Sequence, residues 1–323
     1  MLVRIEKDWD YPDNFFRQTP GNSHRWGDIS FTTDAVEACD YLICLQRPSR
    51  SINVSIPPGN AWIIMQEPPV KWFEFYKRSY RYFDKVYTYF PYRRDNYEGT
   101  LQPVLPWHIH KSYDELSAIT RDKLGRKEDT LTWVTSNKSN WPGQKQRMVL
   151  VELLKSNLEA FALYGQGFEY VEDKFDVLFP SRYVMAIENF STKDYWTEKF
   201  MDAILSWCLP FYWGAPNLEE YFPAESFIRV DISNPKESEA RIKSAMEKNE
   251  WEKRLPAIAE ARDLILNKYQ FFPYITEMIR KSAAAQQESR KYSIPANPFP
   301  TSHIIQNQIQ YYIRKIRSLM RAG

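Results

Sequence analysis

Residues 183–231 read YVMAIENFSTKDYWTEKFMDAILSWCLPFYWGAPNLEEYFPAESFIRVD, and this stretch decides the fold class. Tyr183–Ile187 is an unbroken apolar run that stops at the polar pair Glu188-Asn189. That is the pattern of a buried strand delivering polar groups to the C-terminal edge of a parallel sheet, where α/β proteins place ligands. After a polar loop, Trp196, Phe200, Ala203, Ile204 and Trp207 recur at helical spacing. A helix is therefore expected over Trp196–Trp207, beginning near Asp194, which is a good N-cap type. Leu209–Trp213 reads as a second strand, Gly214-Ala215-Pro216 as a turn, and Phe227–Asp231 as a further strand. Strand, helix and strand in this order make an α/β unit.

At the start of that helix, Tyr195, Glu198, Lys199 and Asp202 stand at i, i+3, i+4 and i+7 and share one face. An aromatic ring, a carboxylate and an ammonium beside unpaired backbone N–H groups suit a diphosphate, because the helix dipole and Lys199 both favour negative charge. The same residues also compose an ordinary solvated helix face with a Tyr195–Lys199 pair. Gly-Ala-Pro after a strand is likewise ordinary loop chemistry. Residue types alone leave both readings open.

Working outward, β-branched and aromatic runs alternate with helical patterns along the chain. Strands are expected at Leu2–Glu6, Asp28–Thr32, Tyr41–Leu45, Ala61–Gln66 and Lys85–Tyr89, and a helix over Tyr113–Leu124. The charged run Arg121–Asp129 reads as a linker. Beyond it come strand Leu131–Ser136, helix Gln144–Leu154 and strand Phe161–Tyr164, with helical patterns after Asp231 to about Ser282. Two successive blocks predict two Rossmann-like α/β domains facing a central cleft, over residues 1–120 and 130–283. A hinge and a basic amphipathic helix follow over 284–323, with Ile305, Ile309, Ile313, Ile316 and Met320 on one side. That stripe reads either as a packing face or as a peripheral contact with an anionic membrane surface. Neither block carries a dinucleotide glycine fingerprint or a P-loop, so dinucleotide enzymes and P-loop NTPases lose support.

Composition narrows the class further. With 43 basic against 41 acidic residues in 323, no single-sign field calls for nucleic acid. Cys39, Cys44 and Cys208 form neither a disulfide framework nor a metal pair. His108 and His110 could reach a metal, but no flanking cluster supports one. The opening MLVRIEKDWD lacks the apolar core of a signal peptide, and no run approaches the ~20 apolar residues of a membrane span. A cytoplasmic protein, soluble or peripheral at the inner face of the membrane, is expected.

The string A-I-E-N…D-Y-W-T-E-K-F-x-D-A-I…P-F-Y-W-G-A-P…S-F-I-R-V closely resembles the donor-binding segment of the α-1,3/4-fucosyltransferases, glycosyltransferase family 10. Val134-Thr135-Ser136-Asn137 followed by Arg147 resembles the family's V-x-S-N…R segment. Tyr92-Arg93-Arg94-Asp95 resembles its Y-R-R-D element, and Gln66-Glu67-Pro68-Pro69 its E-S-P element. The likeness runs over about residues 60–232. Ala186-Ile187 stands where the family has an aromatic before E-N, Pro68 replaces the serine of E-S-P, and Trp196 takes a commonly aliphatic position.

The resemblance implies a GT-B-like fold and an inverting enzyme of the bacterial type. It implies transfer of L-fucose from GDP-β-L-fucose to a glycan acceptor, with O3 of GlcNAc in an N-acetyllactosamine-like end of a bacterial surface polysaccharide favoured. By motif position Glu67 is the catalytic base. Arg147 and Lys199 bind the diphosphate, and Asn189, Tyr195 and Glu198 hold the nucleotide and sugar hydroxyls. Glu188 positions the loop or the sugar. No metal or other cofactor is required, divalent ions being optional, because two cations already face the diphosphate. The rival readings are a GT-B enzyme using another nucleotide sugar and a catalytically silent glycan-binding relative.

Overall fold

The computed structural model describes residues 1–9, 15–138, 142–282 and 288–301. The chain divides into two compact units. One comprises Met1, Asp10–Phe31 and Gly99–Ala285, and the other Leu2–Trp9, Thr32–Glu98 and Gln286–Gly323.

The larger unit is built on five parallel strands in the order Phe161–Tyr164, Glu128–Val134, Ser181–Ile187, Leu209–Trp213, Ile228–Arg229. The chain starts on the second strand, steps outward to the edge, then crosses to the centre and continues to the other side. The direction of winding reverses between Glu128–Val134 and Ser181–Ile187. In doubly wound sheets ligands sit in the crevice beyond the C-terminal ends at this reversal. Tyr183–Ile187 is buried throughout, as an apolar run on a central strand must be.

The helix after it is shorter than its apolar pattern predicts, covering Glu198–Leu205 with Thr197 as N-cap. Thr197 is extended (φ −130°, ψ −171°) and its hydroxyl accepts from Lys199 N. Asp194 is therefore not the cap. Its backbone is left-handed at φ +65°. Its carboxylate instead accepts from Thr100 and from Asn217 and Tyr221 at 2.9 and 2.8 Å. Tertiary packing decided the boundary, because Trp196 packs edge-on against Tyr221, Phe222 and Tyr269. Burial of each such ring contributes about 1.5–3 kcal/mol, more than extending a helix by one turn.

The observed units do not follow a division near residue 120. Trp107, Ile109 and Leu116 are fully buried in the same core as Leu131 and Trp133. Residues from near the N-terminus belong to this unit too. Phe15 and Phe16 pack on Phe272, and Gln270 Nε2 donates to Gln18 O at 3.0 Å. The helix expected over Tyr113–Leu124 ends at Ala118, after a capping box between Ser112 and Glu115. The strand Glu128–Val134 starts inside the expected linker.

In the other unit Leu2–Lys7, Tyr41–Leu45, Ala61–Ile64 and Lys85–Tyr87 form a parallel sheet in that order. Two further strands, Ile52–Ile56 and Arg290–Ile294, pair antiparallel. The second opens where a hinge was expected. Tyr292 and Ile294 are buried and Lys291 and Ser293 exposed, the period-two signature of a half-buried strand. The amphipathic helix expected over Ile305 to Met320 lies outside the described residues. Among the described residues no helix is long and apolar enough to cross a membrane.

Candidate active site

At the reversal of the larger sheet the chain brings Glu188, Thr197, Glu198 and Lys199 into one network. Glu188 leaves the strand Ser181–Ile187 with only 2% of its surface exposed. Its Oε1 accepts from Thr197 N and its Oε2 from Thr197 Oγ1, both at 2.7 Å. Lys199 Nζ stands 3.5 Å from the same Oε2 and 3.0 Å from Glu198 Oε1, so two carboxylates bracket one ammonium.

Burial pushes the Glu188 carboxyl up to about 7, against the pull of Lys199 and Thr197. Burial also favours the neutral form of Glu198, but Lys199, His108 and Lys174 outweigh it and hold that carboxyl well below the usual range. For Lys199, burial is outweighed by Glu198 and Glu188, which raise the ammonium's pKa. The site thus holds a fixed cation, a fixed carboxylate and a carboxyl poised near neutrality.

The turn after the next strand is part of this packing. A Cβ at Gly214 would lie 2.4 Å from Glu188 Cγ and 2.3 Å from the Tyr212 hydroxyl, so only glycine lets Glu188 come this close. Ser191 Oγ donates to Gly214 O at 2.8 Å, tying the loop after Glu188 to the same turn. The glycine of the Gly-Ala-Pro turn, ordinary by itself, is a requirement of the buried carboxylate.

Arg147 lies on the helix Pro142–Asn157, whose first turn approaches the loop after Glu188. A Cβ on Gly143 would stand 3.8 Å from Asn189 O. The guanidinium is buried (4% exposed) and Nη2 donates to Ser136 O at 3.1 Å, beyond the strand Glu128–Val134. Its buried Nε has no hydrogen-bond partner among the described residues. Burial lowers its pKa. A buried fork with an unspent donor suits an anionic ligand. Tyr195 is buried just before the cap and outside the helix, so it does not share the helical face of Glu198 and Lys199.

Asp202, Lys174 and His108 complete the network; the sequence had placed Asp202 on the face of Glu198 and Lys199 and weighed His108 only as a metal ligand, and it gave Lys174 no role. Asp202 is buried, and its Oδ1 accepts from the backbone N of His108 and Ile109 at 2.8 and 3.3 Å. Its Oδ2 accepts from Lys174 Nζ at 2.9 Å. His108 Nδ1 is 4.0 Å from Glu198 Oε1. His110, the other histidine of the pair, instead gives its backbone N to Asp173 at 2.9 Å. The available signal was Asp202 on a strongly apolar helix, since a carboxylate buried there demands donors.

Glu67 belongs to the other unit. It is half-buried and follows Gln66, whose Oε1 accepts from Trp9 Nε1 at 2.8 Å. Nearby, burial and then the charges of Asp8 and Glu67 push the Tyr76 phenol up.

Two Rossmann-like α/β units, one with a polar network at its switch point, make up a fold of the GT-B type. The chain superposes on the crystal structure of an α1,3-fucosyltransferase with GDP-fucose at a TM-score of 0.51, covering 89% of this chain and 91% of that one. At 19% identity this is a likeness of fold. Residues 124–253 match the C-terminal domain model of glycosyltransferase family 10 (fucosyltransferase). Over 128 residues it is 34% identical to 4-galactosyl-N-acetylglucosaminide 3-alpha-L-fucosyltransferase 9 of Homo sapiens and of Mus musculus, covering 38% of this chain. It is also 32% identical over 82 residues to GDP-fucose protein O-fucosyltransferase 3 of Danio rerio, covering 25% of this chain and 18% of that protein. The chain covers 34% of the length of the fucosyltransferase 9 relatives. The matched segment contains Arg147, Glu188, Asn189, Tyr195, Glu198 and Lys199, whereas Glu67 lies outside it.

Proposed function

We propose that the protein transfers L-fucose from GDP-β-L-fucose to a glycan hydroxyl with inversion. The favoured acceptor is O3 of GlcNAc in an N-acetyllactosamine-like end of a bacterial surface polysaccharide. The observation that carries this reading is the Glu188–Lys199–Glu198 network at the sheet's switch point, inside the segment that matches the fucosyltransferase family.

Lys199 and Arg147 are the diphosphate cations. Asn189, Tyr195 and the ionised Glu198 take the nucleotide and the hydroxyls of ribose or fucose. Glu188 works indirectly, holding Thr197 and Lys199 in place. Glu67 removes the acceptor proton as the acceptor oxygen attacks the anomeric carbon. The bond from that carbon to the diphosphate breaks, and GDP leaves with the electron pair. Charge then grows on the leaving oxygen, which the two cations offset without needing a metal.

The test incubates the protein with GDP-fucose and a glycan panel, reading products by mass spectrometry and linkage analysis, with GDP-mannose and UDP-sugars as competitors. Transfer of fucose alone is expected. Glu67→Gln should bind GDP-fucose within about twofold of wild type and lose transfer by about 100-fold or more. Wild-type turnover in that variant would remove Glu67 as the base.

A further inference from the structure

The segment Trp107 to Lys111 is held more firmly than a surface loop requires. Trp107 Nε1 donates to Lys111 O at 2.8 Å, and Ile109 O accepts from Arg17 Nη2 at 2.8 Å. The backbone N groups of His108 and Ile109 both donate to Asp202 Oδ1, and that of His110 donates to Asp173 Oδ1. Asp202 is itself fixed by Lys174, and Asp173 caps the helix Lys174–Leu178. All these bonds fix the backbone from which one imidazole reaches Glu198, whose Oε1 it approaches at 4.0 Å. Lys199 contacts the same oxygen at 3.0 Å. Contacts of this length in unliganded active sites commonly tighten in the complex.

We propose that His108 is a positioning residue of the donor site: it holds Glu198 Oε1 from the side opposite the ligand, so that the carboxylate meets the hydroxyls of a nucleotide sugar in one orientation. This rests on the reading of Glu198 as a donor-site residue. The charged groups facing His108 are Glu198, Lys199 and Asp202 on the helix Glu198–Leu205 and Lys174 on Lys174–Leu178. Burial, with the two lysines, pushes the imidazole below its ordinary range, against the attraction of Glu198 and Asp202. At neutral pH the ring is neutral, and in the complex it closes from 4.0 Å to donate an N–H to the carboxylate. Only in more acid solution than an ordinary imidazole requires does it become a cation that draws Glu198 away from the sugar.

The experiment measures kcat and KM for GDP-fucose across pH in the full-length protein, for wild type, His108→Ala and His108→Asn. His108→Ala should raise KM about tenfold with kcat within about twofold, the factor carried by one hydrogen bond to a charged group. His108→Asn, whose amide N–H replaces Nδ1–H, should restore most of the affinity but lack the acid-side rise in KM seen in wild type. Imidazole NMR of the wild type, which has four histidines, should show the His108 signal shifting when GDP-fucose is added. That measurement stands even if His108→Ala does not fold. Unchanged KM and pH profile in His108→Ala, or no His108 shift on saturation with GDP-fucose, would overturn the proposal while leaving the donor reading intact. If wild type does not bind GDP-fucose at all, both fall together.

Discussion

A carboxyl group with almost no exposed surface that still accepts two bonds from one threonine sits between two protonation states near neutral pH. Burial raises Glu188 from 4.5 to about 7. An unfolded chain ionises this group above about 4.5, whereas the folded one keeps its proton until about 7. Between those values the folded state binds more protons, so this group's contribution to stability is largest in acid and falls as pH rises. Glu188→Gln should flatten that slope. In urea unfolding, wild type is expected to lose stability relative to the variant between pH 5 and pH 7.5, by on the order of 1–3 kcal/mol. An identical pH dependence for the two proteins would show that Glu188 is not protonated at neutral pH. At this scale Glu188, Glu198 and Lys199, which meet in the network, were picked out through the motif they share with the fucosyltransferases, since their types and spacing alone left an ordinary helix face equally open. His108 was not. It reaches Glu198 across 90 residues of sequence, through backbone bonds to Asp202 that no local pattern encodes.

The helix Glu198–Leu205 shows why element boundaries are harder to read than element identity. Its apolar periodicity runs back to Trp196, yet the cap is Thr197, because Trp196 is held in an aromatic cluster with Tyr221, Phe222 and Tyr269. Asp194 is the better cap by residue type, but Thr100, Asn217 and Tyr221 already occupy its carboxylate. Thr197 serves twice, capping the helix and satisfying Glu188. Thr197→Ala should therefore cost more than an ordinary cap, about 2–3 kcal/mol in chemical denaturation. Thr197→Ser, which keeps the hydroxyl, should stay within about 0.5 kcal/mol. Equal stability of the alanine and serine variants would mean that the hydroxyl bonds contribute nothing net. The strand Arg290–Ile294 was missed for a related reason. Its alternation spans five residues beside a Pro/Asn/Ser run, and only its partner Ile52–Ile56 identifies it as a strand.

On the scale of the molecule, alternating strands and helices did predict two parallel-sheet units, and the strand order of the larger one places its switch point at Glu188 and Asn189. The division between units was less accessible. Residues near the N-terminus and residues 99–120 belong to the larger unit, Phe15 and Phe16 by packing on Phe272 and Trp107 and Leu116 by entering its core, contacts made over long sequence separations. The match to the fucosyltransferase family covers 124–253, so the proposal is best supported where the diphosphate is placed. Titration calorimetry with GDP-fucose, comparing wild type with Lys199→Ala and Arg147→Ala, tests that placement most directly. Saturable one-site binding to wild type, weakened about 10- to 100-fold in each variant, is the expected result. Wild-type affinity in both variants would contradict a diphosphate held by those two cations at the switch point.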